Sequence, residues 1–189
     1  MGIILASGSP RRQELLRLIG LDEFTVLPDT AEEEIVPGQT PGQTVSGIAF
    51  QKAKNVSLLC GEDDIIIAAD TLVYLDGRPI AKPGSPHEAE DMLKSLSGRR
   101  HTVYTGVVIL QGGIHITGVE KTEVFFRVIS DEEIKAYVRT GEPMDKAGAY
   151  GVQGRGAIFV EKIIGDFFNI MGLPLCRLSL MLKNFGVHV

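Results

Sequence analysis

The sequence predicts a mixed α/β (α+β) fold, with helices flanking a mixed sheet. Three observations carry this. Short apolar runs bounded by turn signals are interspersed with segments whose apolar residues recur at helical spacing. Two pairs of runs close on tight hairpin signals, Asp76-Gly77 and Gly112-Gly113, so part of the sheet is antiparallel. Strands and helices do not follow the regular alternation of a doubly wound sheet. No glycine-rich dinucleotide fingerprint or Gly-Lys-Ser/Thr phosphate loop is present.

The elements follow in order. Gly2 to Ala6 is a short apolar strand. Ser9 reads as an N-cap and Pro10 as the first helical residue. Leu15, Leu16, Leu18 and Ile19 supply that helix's apolar side, and Gly20 ends it. Residues 28–43 are loop-like, rich in Pro, Gly, Thr and Glu. A helix is expected from about Thr44 to Leu59, with Val45, Ile48, Ala49, Val56 and Leu59 on one stripe. Ile65-Ile66-Ile67-Ala68-Ala69 is a buried strand that continues through Asp70 to Leu75 and returns over Arg78 to Ala81.

Ser85-Pro86-His87-Glu88 reads as a capping box, opening a helix that buries Ala89, Met92, Leu93 and Leu96. Strands are expected over Thr102–Leu110 and about Ile114–Val128. Ser130-Asp131-Glu132-Glu133 is a second capping box, for a helix ending near Gly141. Residues 142–156 form a glycine-rich loop, Ala157 to Ile163 a strand, and Pro174 opens a last helix with Leu175, Leu178 and Leu182 inward.

Composition narrows the function. With 189 residues, 44% of them hydrophobic and 23% charged, the chain can bury a core and is not a disordered segment. It is read as one domain, residues 1–189. The net charge of −5 argues against a nucleic-acid binder, which would be basic. A small anion needs only a local cluster of cations. No apolar run reaches the roughly 20 residues of a membrane span, and Met1 to Ala6 does not read as a signal peptide. A soluble, cytoplasmic protein is expected. Cys60 and Cys176, far apart and without CxxC spacing, are expected to be buried free thiols.

Four features break the pattern expected of a plain globular chain, and such breaks are where function is sought. Ser7-Gly8-Ser9-Pro10-Arg11-Arg12 joins a strand to a helix. That turn suits an anion, and two arginines in a first helical turn oppose the helix dipole unless an anion lies between them. Lys52 interrupts the apolar stripe between Ile48 and Val56, so it must snorkel or meet a buried anion. Asp70 follows five apolar residues and needs a cation, a metal or a proton. It is either a structural ion pair or a metal-binding or basic group.

A two-residue loop at Asp76-Gly77 would pair Thr71 with Lys82, placing Lys82 on the opposite face from Asp70; a bulge would reverse this. The fourth feature is the stretch from Glu142 to Gly156, long and glycine-rich as functional loops often are. In it Gln153 could read a base edge through an amide that both donates and accepts. The four histidines show no ligand spacing, which argues against zinc. Carboxylates near a phosphate site suggest Mg²⁺ or Mn²⁺.

These residues fall in motifs that resemble the Maf family of nucleoside triphosphate pyrophosphatases. The motifs are Ala6 to Leu16, Ala68-Ala69-Asp70-Thr71, Ala81-Lys82-Pro83, Ser97-Gly98 with His101, Val103-Tyr104-Thr105-Gly106, Asp145 to Gly154, Gly165 to Asn169 and Gly172-Leu173-Pro174-Leu175. The resemblance implies an architecture similar to the inosine triphosphate pyrophosphatases, with two lobes around a cleft. It implies hydrolysis between the α- and β-phosphates, with a divalent cation.

The stretch Asp145 to Gly154 resembles the branch acting on dTTP and UTP rather than the branch acting on 7-methyl-GTP. Arg12, Thr71 and Gln153 match positions linked to substrate choice, and Asp70 matches the proton acceptor. Ser9, Arg12, Glu33, Lys52 and Lys82 match the polar pocket. The expected site therefore comprises Asp70, Glu33, Lys52 and Lys82 for catalysis, with Asp70 and Glu33 toward the metal. Ser7, Ser9, Arg11, Arg12, Thr71 and Gln153 would bind a small nucleotide. A homodimer is a family-level expectation. Two alternatives stay open: the same chemistry on a purine or non-canonical base, and a nucleotide-binding regulatory module in cell division.

Overall fold

The computed structural model describes residues 2–31 and 36–189. Its regular elements are β1 (Ile3–Leu5), α1 (Pro10–Leu18), β2 (Thr25–Val26), α2 (Pro41–Ser57), β3 (Ile65–Leu75), β4 (Arg78–Ile80), α3 (Pro86–Leu96), β5 (Arg100–Gln111), β6 (Ile114–Phe126), α4 (Asp131–Val138), β7 (Val160–Ile164), α5 (Phe167–Met171) and α6 (Leu175–Leu182). The seven strands form one mixed sheet in the order β2-β1-β3-β5-β6-β7, with β4 paired to β3. β1 is parallel to β2 and to β3, while β4 and β7 run antiparallel to β3 and β6. The mixed α/β expectation is borne out.

Both hairpin signals act as read. Asp76 and Gly77 take φ of 51° and 76°, and Gly112 and Gly113 take 53° and 81°, the double positive φ of a two-residue hairpin turn. The β3–β4 register pairs Leu75 with Arg78 and ends at Val73–Ile80. The expected Thr71–Lys82 pair is therefore not formed.

The chain divides into two compact units. The first comprises Met1–Thr71, Thr105–Glu120 and Gly172–Val189, the second Leu72–Tyr104 and Lys121–Met171. In the first, α2 lays Ala49, Ala53 and Val56 on Ile4, Ala6, Ile66, Ala68, Val108 and Leu110. The contact is close because its residues are small. At Gly106 of β5 a Cβ would lie 2.5 Å from the Val45 carbonyl and 2.6 Å from Ser46 N. In the second unit, α3 and α4 bury Leu93, Leu96, Ile134 and Val138 with Val124, Phe126, Tyr150 and Phe159. His101 lies among these aromatics, edge-on to Phe126 and Tyr150. Its Nε2 is 2.8 Å from the Tyr150 hydroxyl.

Several local expectations are corrected. The second helix starts at Pro41, three residues before the expected Thr44, because Thr40 and Gln43 form a full capping box. The Ser85 cap holds, but Glu88 turns to the Gly84 N–H and completes no box. Ser130 and Glu133 do complete theirs. Leu18 and Leu59 are exposed: Leu18 is the last residue of α1, and Leu59 lies beyond the end of α2. Residues 155–159 form a 3₁₀ turn, so the strand expected from Ala157 starts at Val160. β6 ends at Phe126, not Val128. Pro174 is the N-cap of α6, not its first residue. The short β2 and α5 carry too few residues for any periodicity. Cys176 is exposed on α6 and Cys60 half-buried, both unpaired, so the expectation of two buried thiols fails. Among the described residues no helix is long and apolar enough to cross a membrane.

Two predictions follow from this packing. Gly106→Ala should destabilise the protein by about 3 kcal/mol, the upper end for overpacking, because the added methyl meets helix backbone. Urea unfolding checks this, and an unchanged midpoint would show that α2 can move away. Desolvation lowers the His101 pKa from 6.5 to about 4, so the ring is neutral at pH 7. The unfolded chain takes its proton first on acidification, so the stability that His101 contributes is whole above 6.5 and lost as pH falls through about 4. Imidazole NMR shifts should stay flat for His101 until about pH 4; a midpoint near 6.5 would contradict its burial.

Candidate active site

Asp70 lies on β3 beyond the last β1 pair, Leu5–Ile67, where the strand continues past the carboxyl end of its parallel neighbour. Ends of this kind are where ligands meet α/β sheets. Alternation along the strand puts Asp70 on the face that carries Ile66 and Ala68, the face covered by α2. Lys52 comes down from that helix. Its Nζ donates to Asp70 Oδ1 at 2.8 Å, with the side chains 14% and 7% exposed. That burial removes the pair from the class of weak surface bridges. The apolar stripe of α2 thus carries a lysine because a carboxylate lies under it. Asp70 Oδ2 is buried and has no hydrogen-bond partner among the described residues.

A second network centres on Arg12. Its Nε donates to the Gly172 carbonyl at 2.8 Å. One terminal nitrogen donates to Ser7 Oγ at 3.0 Å and the other to Thr71 Oγ1 at 3.2 Å. Thr71 Oγ1 also shares a hydrogen bond of 2.9 Å with the fully buried Thr105 hydroxyl. Gly172 approaches this guanidinium closely. Its φ is 105°, and a Cβ there would lie 3.4 Å from Arg12 Nε. Ser9 is the N-cap by position, yet its side chain makes no cap bond. Its N–H donates to Ser7 Oγ at 3.3 Å, and Pro10 has no N–H. The turn that the sequence marks as suited to an anion thus has two fewer backbone N–H groups to offer, those of positions 9 and 10. Arg11 is half-buried.

Ser7, Arg12, Lys52, Asp70 and Thr71 thus meet partners within the first unit. Lys82 and Gln153 belong to the second. Both are exposed, and neither side chain has a hydrogen bond or ion pair among the described residues. The Gly148 N–H donates to the Ala81 carbonyl at 3.1 Å, which ties the segment before Lys82 to the glycine-rich stretch. Glu33 lies outside the described residues. Thr105 and Gly172 had no role assigned from sequence. Each falls within a family motif but is distant in sequence from the residues it touches.

Among the described residues no three of His, Cys, Asp and Glu gather as a metal site. The Asp70 carboxylate nonetheless offers hard oxygen of the kind that Mg²⁺ or Mn²⁺ takes. Such ions commonly use one or two carboxylates and fill their shell with substrate phosphates and water.

Residues 2–185 match the family model described as "Maf-like protein". The chain belongs to the Maf family. Maf relatives named dTTP/UTP pyrophosphatase match it along nearly their whole length. That of Moorella thermoacetica is 48% identical over 189 residues, covering 99% of this chain and 96% of its own. That of Methanosarcina barkeri is 48% identical over 189 residues, with 99% and 95% covered. That of Bacillus cereus is 46% identical over 187 residues, with 99% and 97% covered. A solved HAM1 protein from Coxiella burnetii shares the fold, with a TM-score of 0.51, 17% identity, and 97% and 99% of the two chains covered.

In this Maf protein one guanidinium holds three acceptors that lie far apart in sequence, and a lysine ammonium cannot reproduce that fork. Arg12→Lys should therefore cost about 1.5–3 kcal/mol, the scale of hydrogen bonds to a charged group. Urea unfolding measures it. A cost near zero would mean that Arg12 does not hold the Gly172 carbonyl in solution.

Proposed function

We propose that this chain hydrolyses nucleoside triphosphates, dTTP and UTP foremost, to the monophosphate and pyrophosphate. The observation that carries this reading is the match, over essentially the full chain, to relatives named for that activity. The buried Asp70 carboxylate, held by one oxygen and without a partner at the other among the described residues, supports it.

Asp70 Oδ2 orients a water and takes its proton as the water oxygen attacks the α-phosphorus in line. The bond from that phosphorus to the bridging oxygen breaks, and pyrophosphate leaves with the electron pair. Lys52, donating to Oδ1, fixes the carboxylate's rotation so that Oδ2 faces the reaction. Arg11, Arg12, Lys52 and Lys82 supply positive charge for the polyphosphate. Positioning and electrostatics of this kind account for most of phosphoryl-group catalysis. Ser7 and Ser9 line the turn on the phosphate side, while Arg12, Thr71 and Gln153 select the base.

A divalent cation would be held by Asp70, with Glu33 as the second oxygen donor carried over from the family pattern. When bound it would neutralise charge on the phosphates. Tolerance of both thymine and uracil is expected, because one methyl group is worth only about 1–3 kcal/mol in a binding pocket.

The test is pyrophosphate release from dTTP, UTP, CTP, GTP, ATP and 7-methyl-GTP, with Mg²⁺ and with Mn²⁺. Turnover should be strongest for dTTP and UTP. Asp70→Asn should lower it by about a hundredfold or more, the scale of a lost general base, with the fold intact at the assay temperature, although the loss of the partner of Lys52 lowers the melting temperature. A near-wild-type rate in that variant would overturn the role of Asp70. Preference for another base would overturn the role of Gln153.

A further inference from the structure

The glycine-rich stretch after α4 is not a slack loop. It is wound around one carboxylate. Glu142 Oε1 accepts from the Tyr137 hydroxyl at 2.9 Å and from the Gly156 N–H at 3.3 Å. Its Oε2 accepts from the Arg155 N–H at 3.0 Å. Tyr137 reaches the other end of the same turn, where its hydroxyl accepts from the Gly151 N–H at 3.2 Å.

The backbone is therefore anchored at 151 and again at 155–156, with Gln153 midway between. Of the intervening residues, Val152 is buried and Gly154 has no side chain. The Gln153 side chain is the one that projects, exposed and without a hydrogen-bond partner among the described residues.

The glycines follow from this arrangement. Gly154 has φ 93° and ψ −154°, a region open essentially to glycine alone. A Cβ there would lie 2.9 Å from both carboxylate oxygens of Glu142. A Cβ on Gly156 would lie 2.7 Å from the Tyr137 hydroxyl. One on Gly151 would lie 2.8 Å from the Gln153 carbonyl.

Glu142 is itself held from both sides. Its N–H donates to Thr140 Oγ1, and its carbonyl accepts from Lys146 Nζ at 2.6 Å. Burial alone would raise its carboxyl pKa. The Arg155 N–H, the Tyr137 hydroxyl, the Gly156 N–H and the charge of Lys146 outweigh that and hold the pKa below its ordinary value, so the acceptor is an anion at neutral pH.

We infer that Glu142, together with Tyr137, is a positioning residue for base selection: it fixes the turn that presents the Gln153 amide. The inference rests on the reading of Gln153 as the base-contacting residue. A base-selecting amide discriminates only if its donor and acceptor are held in place, because a floppy one pairs with any edge. Neither Glu142 nor Tyr137 needs to touch the nucleotide. Glu142→Gln keeps the size but turns an NH₂ group toward a backbone N–H, donor against donor, and releases one anchor.

The experiment measures kcat and KM for UTP and GTP, and inhibition by inorganic pyrophosphate, which has no base. The proteins are the wild type, Glu142→Gln, Gln153→Ala and the double variant. In Glu142→Gln the UTP KM should rise about tenfold and preference for UTP over GTP should shrink to match, a scale set by modest misplacement of a contacting group. The pyrophosphate inhibition constant should stay within about twofold. In the Gln153→Ala background, Glu142→Gln should change base preference no further.

Should Glu142→Gln fail to fold, Tyr137→Phe makes the same comparison, since it removes only the hydroxyl. Equal losses for UTP, GTP and pyrophosphate would overturn the inference, as a general loosening. So would an effect that persists undiminished without the Gln153 amide. An unaltered base preference in Gln153→Ala would overturn both this inference and the reading of Gln153. Absence of pyrophosphate release from every nucleotide with the wild type would overturn the proposed activity itself.

Discussion

The ion pair between Lys52 and Asp70 is the constraint on which the rest of the first unit depends. A carboxylate at the end of an apolar strand cannot stay ionised in the interior without a partner. The partner must reach it from the covering helix, so α2 has to lie close to the sheet. Small residues make that possible: Ala49 and Ala53 on the helix, Ala6 and Ala68 on the strands. Gly106 completes the approach, since no side chain fits between β5 and the backbone of Val45 and Ser46. An ion pair so placed contributes little net stability for its desolvation cost. It leaves a buried carboxylate with one oxygen engaged by Lys52 and the other without a partner among the described residues.

The Arg12 network answers a different electrostatic problem. Arginines at the start of α1 oppose the helix dipole, and the sequence suggests an anion between them to relieve the conflict. Part of the relief is internal. The guanidinium donates to a carbonyl and two hydroxyls. This links the β1–α1 turn, the strand residue beside Asp70 and the segment leading into α6. The turn after β1 is thus held in place before any ligand arrives.

The second unit is organised by aromatic packing and by one carboxylate. His101, Phe126, Tyr150, Phe159 and Tyr137 meet mostly edge to face. The Tyr137 ring sits in this core while its hydroxyl reaches the Glu142 anchor. Rigidity therefore passes from the apolar core to the glycine-rich stretch through one side chain. Glycine there serves close approach of backbone to carboxylate, not mobility.

Sequence alone determined the order of the regular elements other than β2 and α5, both hairpins, the N-caps at Ser85 and Ser130, and the identity of the unusual residues. These are local properties: periodicity, turn chemistry and charge in an apolar setting are written within a few residues of each other. Lys52 and Asp70 stood out for that reason, each as a charge where its neighbours predict none. Their pairing, the Arg12 links to Thr71 and Gly172, the burial of Thr105 and the clamp of Glu142 and Tyr137 on residues 151–156 were decided by tertiary structure. Most of these contacts join residues dozens of positions apart or more, and a single sequence carries no distance information at that range. The Glu142 clamp spans fewer residues, but it depends on a Gly154 conformation that neither propensity nor periodicity encodes. The misplaced boundaries differ in origin: the start at Pro41 is written locally, in the Thr40–Gln43 capping box, whereas the 3₁₀ turn before Val160 depends on partners that the fold supplies.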